Sequence, residues 1–174
     1  MRYLITFIGL VLASFSSSCD TKKEVAATPE TAEPDTVVVV MEPAPPEDSL
    51  VVYFEKTPCF GQCPVFKVRV FESGFAIYEG LNFAELMGKY SYRFSEKTLK
   101  EIYEMAEAID YFNLESNYDD PRVTDLPSTI SEINLNGKSH RVKARMGTPE
   151  KLKGFHENLG VMLREKDWKP YTDR

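Results

Sequence analysis

The sequence predicts an α+β domain: an antiparallel sheet of about six strands, in the order ββββαββα, with two helices packed on one face. Three observations predict it. Between residues 50 and 94, short β-branched and aromatic runs follow one another with brief connections, which favours antiparallel pairing. Two later stretches carry apolar residues at helical spacing. Between those stretches stands Asn136-Gly137, a strong hairpin signal flanked by two alternating runs.

The elements follow in order. Leu50-Val51-Val52-Tyr53-Phe54-Glu55 is β-branched and aromatic, a first strand. Thr57-Pro58-Cys59-Phe60-Gly61-Gln62-Cys63-Pro64 is a tight, punctuated loop. Phe66, Val68 and Val70 alternate with Lys67 and Arg69, the pattern of a half-buried second strand. Glu72-Ser73-Gly74 turns the chain into a third strand, Phe75 to Tyr78. Tyr90, Tyr92 and Phe94 alternate with Lys89, Ser91 and Arg93 in a fourth.

Ser95 is a good N-cap and Glu96 suits the positive end of a helix dipole. Leu99, Ile102, Tyr103, Ala106 and Ile109 then predict a helix over about 95–109. Asn113 to Ser128 is polar and interrupted by Pro121 and Pro127, which predicts a long loop. Thr129 to Leu135 and Lys138 to Arg145 are the strands of the Asn136-Gly137 hairpin. Thr148 and Pro149 read as N-cap and first residue of a second helix, with Leu152, Phe155, Leu159, Met162 and Leu163 as its stripe. The tail from Asp167 reads as irregular, with Trp168 packed back on the domain.

Three segments are expected: a signal peptide over 1–18, a tether over 19–48 and one domain over 49–174. Arg2 precedes an apolar stretch from Tyr3 to Phe15 that is too short to span a bilayer. Ser16-Ser17-Ser18-Cys19 closes it and resembles a bacterial lipoprotein signal, though Ser16 stands where that pattern usually has leucine. The resemblance implies cleavage before Cys19 and a diacylglycerol, with palmitate among the acyl chains, on its thiol. An ordinary signal peptide cut near Ser18 would instead leave Cys19 free.

The tether is rich in Pro, Ala, Thr and Glu and has no aromatic residue, so it cannot offset its ordering entropy by burial. Its root-mean-square reach is roughly 30 Å, and roughly 95 Å at full stretch. Val37 to Val40 is its one strand-like run, either solvated or paired with a sheet edge. Most of the formal charge of -6 lies in this tether, which leaves the domain nearly neutral. That balance, with export, disfavours nucleic acid as a partner.

Cys59 and Cys63 are the sharpest chemical feature of the domain. With Cys19 lipidated they form an even pair, and an oxidising compartment favours a disulfide between them. Their C-x-x-x-C spacing differs from the C-x-x-C of thiol oxidoreductases. A zinc site would need two more ligands, and the two histidines, His140 and His156, lie in separate elements.

Thr57-Pro58-Cys59-Phe60-Gly61-Gln62-Cys63-Pro64 resembles the T-P-C-x-G-x-C-P signature of an uncharacterised bacterial domain family of unknown function. Gly74 with Tyr78-Glu79-Gly80, the segment Val123-Thr124-Asp125-Leu126-Pro127-Ser128-Thr129 and the Asn136-Gly137 hairpin also match it. The resemblance covers about Leu50 to Leu163. It implies an envelope lipoprotein and no particular activity, cofactor or catalytic residue.

Enzyme signatures are thin. There is no Gly-x-Ser-x-Gly elbow, phosphate loop or dinucleotide glycine pattern. A Ser-His-Asp set would have to use His140 or His156. Glu115, Asn117 and Asp119 alternate like the opening of a calcium loop, but Asp120 and Leu126 stand where glycine and glutamate belong. Asp125 suits a loop-capping role.

The expected function is therefore a membrane-anchored envelope lipoprotein acting as a non-catalytic binding or scaffolding module, with no cofactor and no metal. Its anchor is expected in the outer rather than the inner membrane. The alternative is an envelope hydrolase or thiol-redox enzyme. The expected partners are the lipid bilayer, through Cys19, and an envelope protein or polymer. The sheet face away from the helices would carry Lys67, Arg69, Lys89, Arg93, Arg141, Lys143 and Arg145. Of these, Lys67, Arg69, Arg141, Lys143 and Arg145 are the candidate contacts for an acidic partner.

Overall fold

The computed structural model describes residues 47–172. The expected signal peptide, Cys19 and Val37 to Val40 lie outside the described residues. Eight strands and two helices follow in the order β1 (Leu50–Lys56), β2 (Val65–Phe71), β3 (Phe75–Asn82), β4 (Gly88–Arg93), α1 (Glu96–Ala108), β5 (Asn117–Tyr118), β6 (Thr129–Leu135), β7 (Lys138–Ala144), α2 (Glu150–Arg164) and β8 (Lys169–Pro170). The class is α+β, with one open sheet in the spatial order β5-β7-β6-β1-β2-β3-β4-β8.

The sheet has eight strands rather than six. The two additions, β5 and β8, hold two residues each and lie in segments whose sequence predicts loop and tail. So short a strand carries no periodicity; its partner defines it. β5 runs parallel to β7, held by Lys143 N–H to Ser116 O at 2.9 Å and Arg145 N–H to Tyr118 O at 2.7 Å. β8 pairs with β4 at Tyr90 and Ser91. Both are edge strands, and very short edges give foreign chains little to pair with. Every pairing other than β5 with β7 is antiparallel.

Alternation sorts each long strand into two faces. Val52, Phe54, Phe66, Val68, Val70, Ala76, Tyr78, Ile133 and Val142 join one buried cluster. Leu99, Ile102 and Ala106 of α1 enter it, as do Leu152, Phe155, Leu159 and Leu163 of α2. Trp168 is in it too, its Nε1–H donating to Leu163 O at 3.2 Å and its ring 5.5 Å from that of Tyr78.

Ser95 caps α1, its Oγ accepting from Thr98 N–H at 3.2 Å. The start of α2 departs from the sequence reading. Pro149 is the cap and Thr148 lies outside, because the Pro149 carbonyl already accepts from the amides of Leu152 and Lys153. Asn136 and Gly137 both have positive φ, 50° and 73°, as the two-residue hairpin joining β6 to β7 requires.

Candidate functional site

Strand register places Lys67, Arg69, Arg141 and Lys143 together on the face away from the core, whereas Arg145 follows the end of β7 and is in no ladder. One row across the sheet reads Arg141, Glu132, Tyr53, Arg69, Ile77, Ser91, Lys169. The next reads Lys143, Ile130, Glu55, Lys67, Glu79, Lys89.

Most of these cations already have carboxylate partners within the domain. Lys67 lies 3.1 Å from Glu79. Arg141 lies 3.0 Å from Glu132 and 4.0 Å from Glu55, and its guanidinium covers the Tyr53 ring at 4.6 Å. Burial and a hydrogen bond to Glu55 push the Tyr53 hydroxyl up to about 12. Lys143 and Arg145 share Asp119, at 2.8 and 3.2 Å. The Lys143 hydrogen bond holds the Asp119 carboxyl below the usual range, with Arg145 adding to the effect. Arg93 sits over Phe75 and donates to Ser73 O at 3.0 Å. Among the five candidate contacts, Arg69 alone has no hydrogen bond or ion pair within the described residues. The face also carries a second apolar group, in which Phe75 is fully buried between Phe71 and Tyr171.

A different concentration of features lies at one end of the sheet. Gly88, Gly80, Phe66, Lys56, Thr129 and Ala144 form a row near that end. The loops beyond it are β1–β2, β3–β4, β5–β6 and β7–α2. Cys59 and Cys63 are joined by a disulfide with their Cα atoms 5.8 Å apart. Thr57 N–H donates to Ser128 O at 3.0 Å, Ser128 N–H to Thr57 Oγ1 at 2.7 Å, and Phe60 N–H to Asp125 O at 3.1 Å. The cysteine loop and the Val123–Thr129 segment, far apart in the chain, are thus one hydrogen-bonded unit. Asp125 contributes its main-chain carbonyl to that unit. Arg145 braces it by donating to Val123 O and to Ser128 Oγ.

Phe60, at the tip of this unit, is 94% exposed. The other large apolar side chains exposed among the described residues are Leu81, Phe83, Met87, Leu126, Met146 and Val161. Six of the seven lie at or beyond the strand ends at this end. Val161, on α2, lines a cleft beside the disulfide.

That cleft has a volume of about 360 Å³ and is walled by Phe54, Cys63, Pro64, Phe66, Pro127 and Val161, with Lys56, His156, Glu157, Gly160 and Arg164 completing it. A second cleft of about 240 Å³ shares Pro64, Phe66 and Arg164 and continues to Tyr78, Phe83, Glu85 and Leu86. Two wider depressions lie at the opposite end, one lined mainly by polar groups such as Asp110 and Ser139, the other by Leu50, Val51, Leu99 and Leu135 together with Glu72 and Lys100.

His156 is buried under α2. Its Nε2 lies 2.8 Å from Ser131 Oγ, which lies 2.7 Å from Tyr111 OH. Burial, with Lys56 nearby, pulls the imidazole down to about 4, so it is neutral at physiological pH. Burial also raises the Tyr111 hydroxyl. Ser131 is fully buried between its two neighbours. His140 is half-buried, its ring 5.7 Å from that of Tyr111.

Sequence reasoning overlooked Lys56, Arg164 and this polar chain. Lys56 carried a signal: the core-facing series Val52, Phe54 continues at 56 with a lysine. Ser131 and Tyr111 carried none, since each looks ordinary until the strand and helix meet. Among the described residues no group of three His, Cys, Asp or Glu side chains has metal-holding geometry, and no helix is long and apolar enough to cross a membrane.

Fold and site together define a small α+β domain with a polar sheet face and a disulfide-pinned apolar end. The family model of a domain of unknown function, DUF6438, matches residues 50–163, and the chain belongs to that family. No curated protein matches the chain.

Proposed function

We propose that the protein is an envelope lipoprotein, anchored through Cys19, whose domain is a non-catalytic binding module that docks a partner protein on its disulfide-pinned end. The observation that carries the docking reading is the placement of exposed Phe60, Leu81, Phe83, Met87, Leu126 and Met146 at or beyond the strand ends at one end of the sheet. Singly exposed apolar side chains are ordinary, whereas their concentration marks an interaction surface. A disulfide and cross-loop hydrogen bonds fix Phe60 before binding, so little ordering entropy is lost on docking.

The sheet face is the second candidate surface, and Arg69 is the residue that favours it. An acidic partner there would have to compete with Glu55, Glu79, Glu132 and Asp119 for the other cations. The Tyr111–Ser131–His156 chain is the feature nearest to a hydrolase. With Ser131 closed off from solvent, the chain reads as a core brace and not as a nucleophile with its base.

The test is crosslinking of the anchored protein in its native envelope. Capture of one partner by the wild type and by an Arg69→Ala, Arg141→Ala, Lys143→Ala variant, but not by a Phe60→Ser, Phe83→Ser variant, is the expected result. Loss of capture only in the sheet-face variant would move the site to that face. Turnover of a substrate by the purified protein would replace the binding reading with an enzymatic one.

A further inference from the structure

Lys56 and Arg164 line one cleft without a carboxylate partner for either among the described residues. Lys67, Arg122, Arg141, Lys143, Arg145 and Lys169 each have a carboxylate within 4.0 Å. Lys56 instead donates to Thr129 Oγ1 at 2.6 Å, and Arg164 donates from Nε to Gly160 O at 3.1 Å. Neither has an ion-pair partner among the described residues, and both line the same cleft.

The placement follows from local structure. The strand period points Lys56 to the helix side, next to the Phe54 ring at 5.8 Å. α2 crosses above it and brings Arg164 in its last turn to the same space. Burial and Arg164 together lower the Lys56 ammonium's affinity for its proton, with Glu157 opposing. Two cations held near each other on a largely apolar cleft favour an anion between them. The neutral His156 in the wall adds no third charge.

The walls dictate what the anion carries. Phe54, Pro64, Phe66 and Val161 are apolar, and a second cleft that shares Pro64, Phe66 and Arg164 with the first is lined by Tyr78, Phe83 and Leu86. The two clefts, about 360 and 240 Å³, together fall in the usual ligand range of roughly 300–1,000 Å³. Glu157 and Glu85 line the clefts as well and disfavour a second negative charge along the path.

We propose that this cleft binds a single-headed anionic amphiphile, its carboxylate or phosphate between Lys56 and Arg164 and its apolar chain along Phe66 and Tyr78 towards Phe83. The inference does not depend on the anchor or on a protein partner. The ligand's source is either a free amphiphile or one drawn from a bilayer.

The test uses the full chain carrying Cys19→Ser, so that no acyl chain of its own competes. Decanoate and decyl phosphate below their micelle concentrations are titrated calorimetrically, beside decanol and inorganic phosphate. The two amphiphilic anions should bind at least tenfold more tightly than either control. Lys56→Met and Arg164→Gln should each weaken anion binding at least tenfold and leave decanol unchanged. Val161→Trp, at an exposed helix position, should block the anions without loss of fold. Tyr78 touches Trp168, so binding should also change tryptophan fluorescence.

Vesicles with and without phosphatidylglycerol separate the sources. Extraction of a labelled anionic lipid, abolished by Val161→Trp, would identify the bilayer as donor, and its absence with decanoate binding intact would identify a free amphiphile. Equal binding of decanol and decanoate, indifference to both charge substitutions, or adsorption to vesicles that Val161→Trp leaves unchanged would each overturn the proposal. So would failure of every anion to bind.

Discussion

At the scale of single residues, burial decides the chemistry. His156 has its folded pKa depressed from 6.5 to about 4. Between those values the unfolded chain binds the extra proton, so stability rises with pH there. It is fully present above about 6.5 and falls as the pH drops towards 4, by about 3 kcal/mol for a shift of this size. Denaturant titrations of the wild type and His156→Gln, from pH 4 to 7.5, should show that slope only in the wild type. Parallel curves would mean the imidazole is not buried neutral. Tyr111→Phe removes one hydroxyl from the chain and leaves Ser131 bonded to His156, so a loss of about 1 kcal/mol is expected in the same assay. A sequence shows none of this pairing, because Tyr111, Ser131 and His156 meet only when the short 3-10 turn Tyr111–Asn113, β6 and α2 close on one another.

At the scale of elements, the Cys59–Cys63 bridge closes a very short loop, so its contribution is small, about 2 kcal/mol in the loop-entropy account. A Cys59→Ser, Cys63→Ser variant should fold with a melting temperature lower by roughly 8 °C. Complete unfolding would show that the bridge holds more than its loop. Gly80 is a harsher constraint. A Cβ there would run into the carbonyl oxygen of Leu86, where the β3–β4 connection folds back over the strand. Gly80→Ala should therefore cost about 2–3 kcal/mol, read by equilibrium unfolding, since backbone rather than a side-chain tip must move. The long elements were legible in the sequence because their alternation and helical spacing record burial directly. β5, β8 and the cap of α2 were not, because each is defined by its partner: Ser116 and Tyr118 against β7, Pro170 against β4, and the Pro149 carbonyl against two amides.

At the scale of the whole molecule, the proposed anchor and the proposed recognition end can be tested separately. Lipidation at Cys19 predicts that the intact protein partitions with membranes and that Cys19→Ala is released or left unprocessed. Normal processing with undiminished membrane binding would exclude it. Since one acyl chain holds weakly, stable partition requires at least two. The candidate site was only partly legible. Alternation put Lys67, Arg69, Arg141, Lys143 and Arg145 on one face, but not the carboxylates that occupy four of them. The apolar end was invisible, since its loops are scattered along the sequence and only the strand register gathers them. That register has a mechanical consequence. β1 begins at Leu50, where the preceding chain enters, and it lies fourth among eight strands with antiparallel ladders on both sides. Tension carried by that chain acts along the strand, across bonds perpendicular to it, so both ladders share the load in shear instead of unzipping one by one. A pull on the chain that enters at Leu50 thus meets a strand bonded on both sides, among the hardest to extract, with the apolar end at the far tip of that same strand.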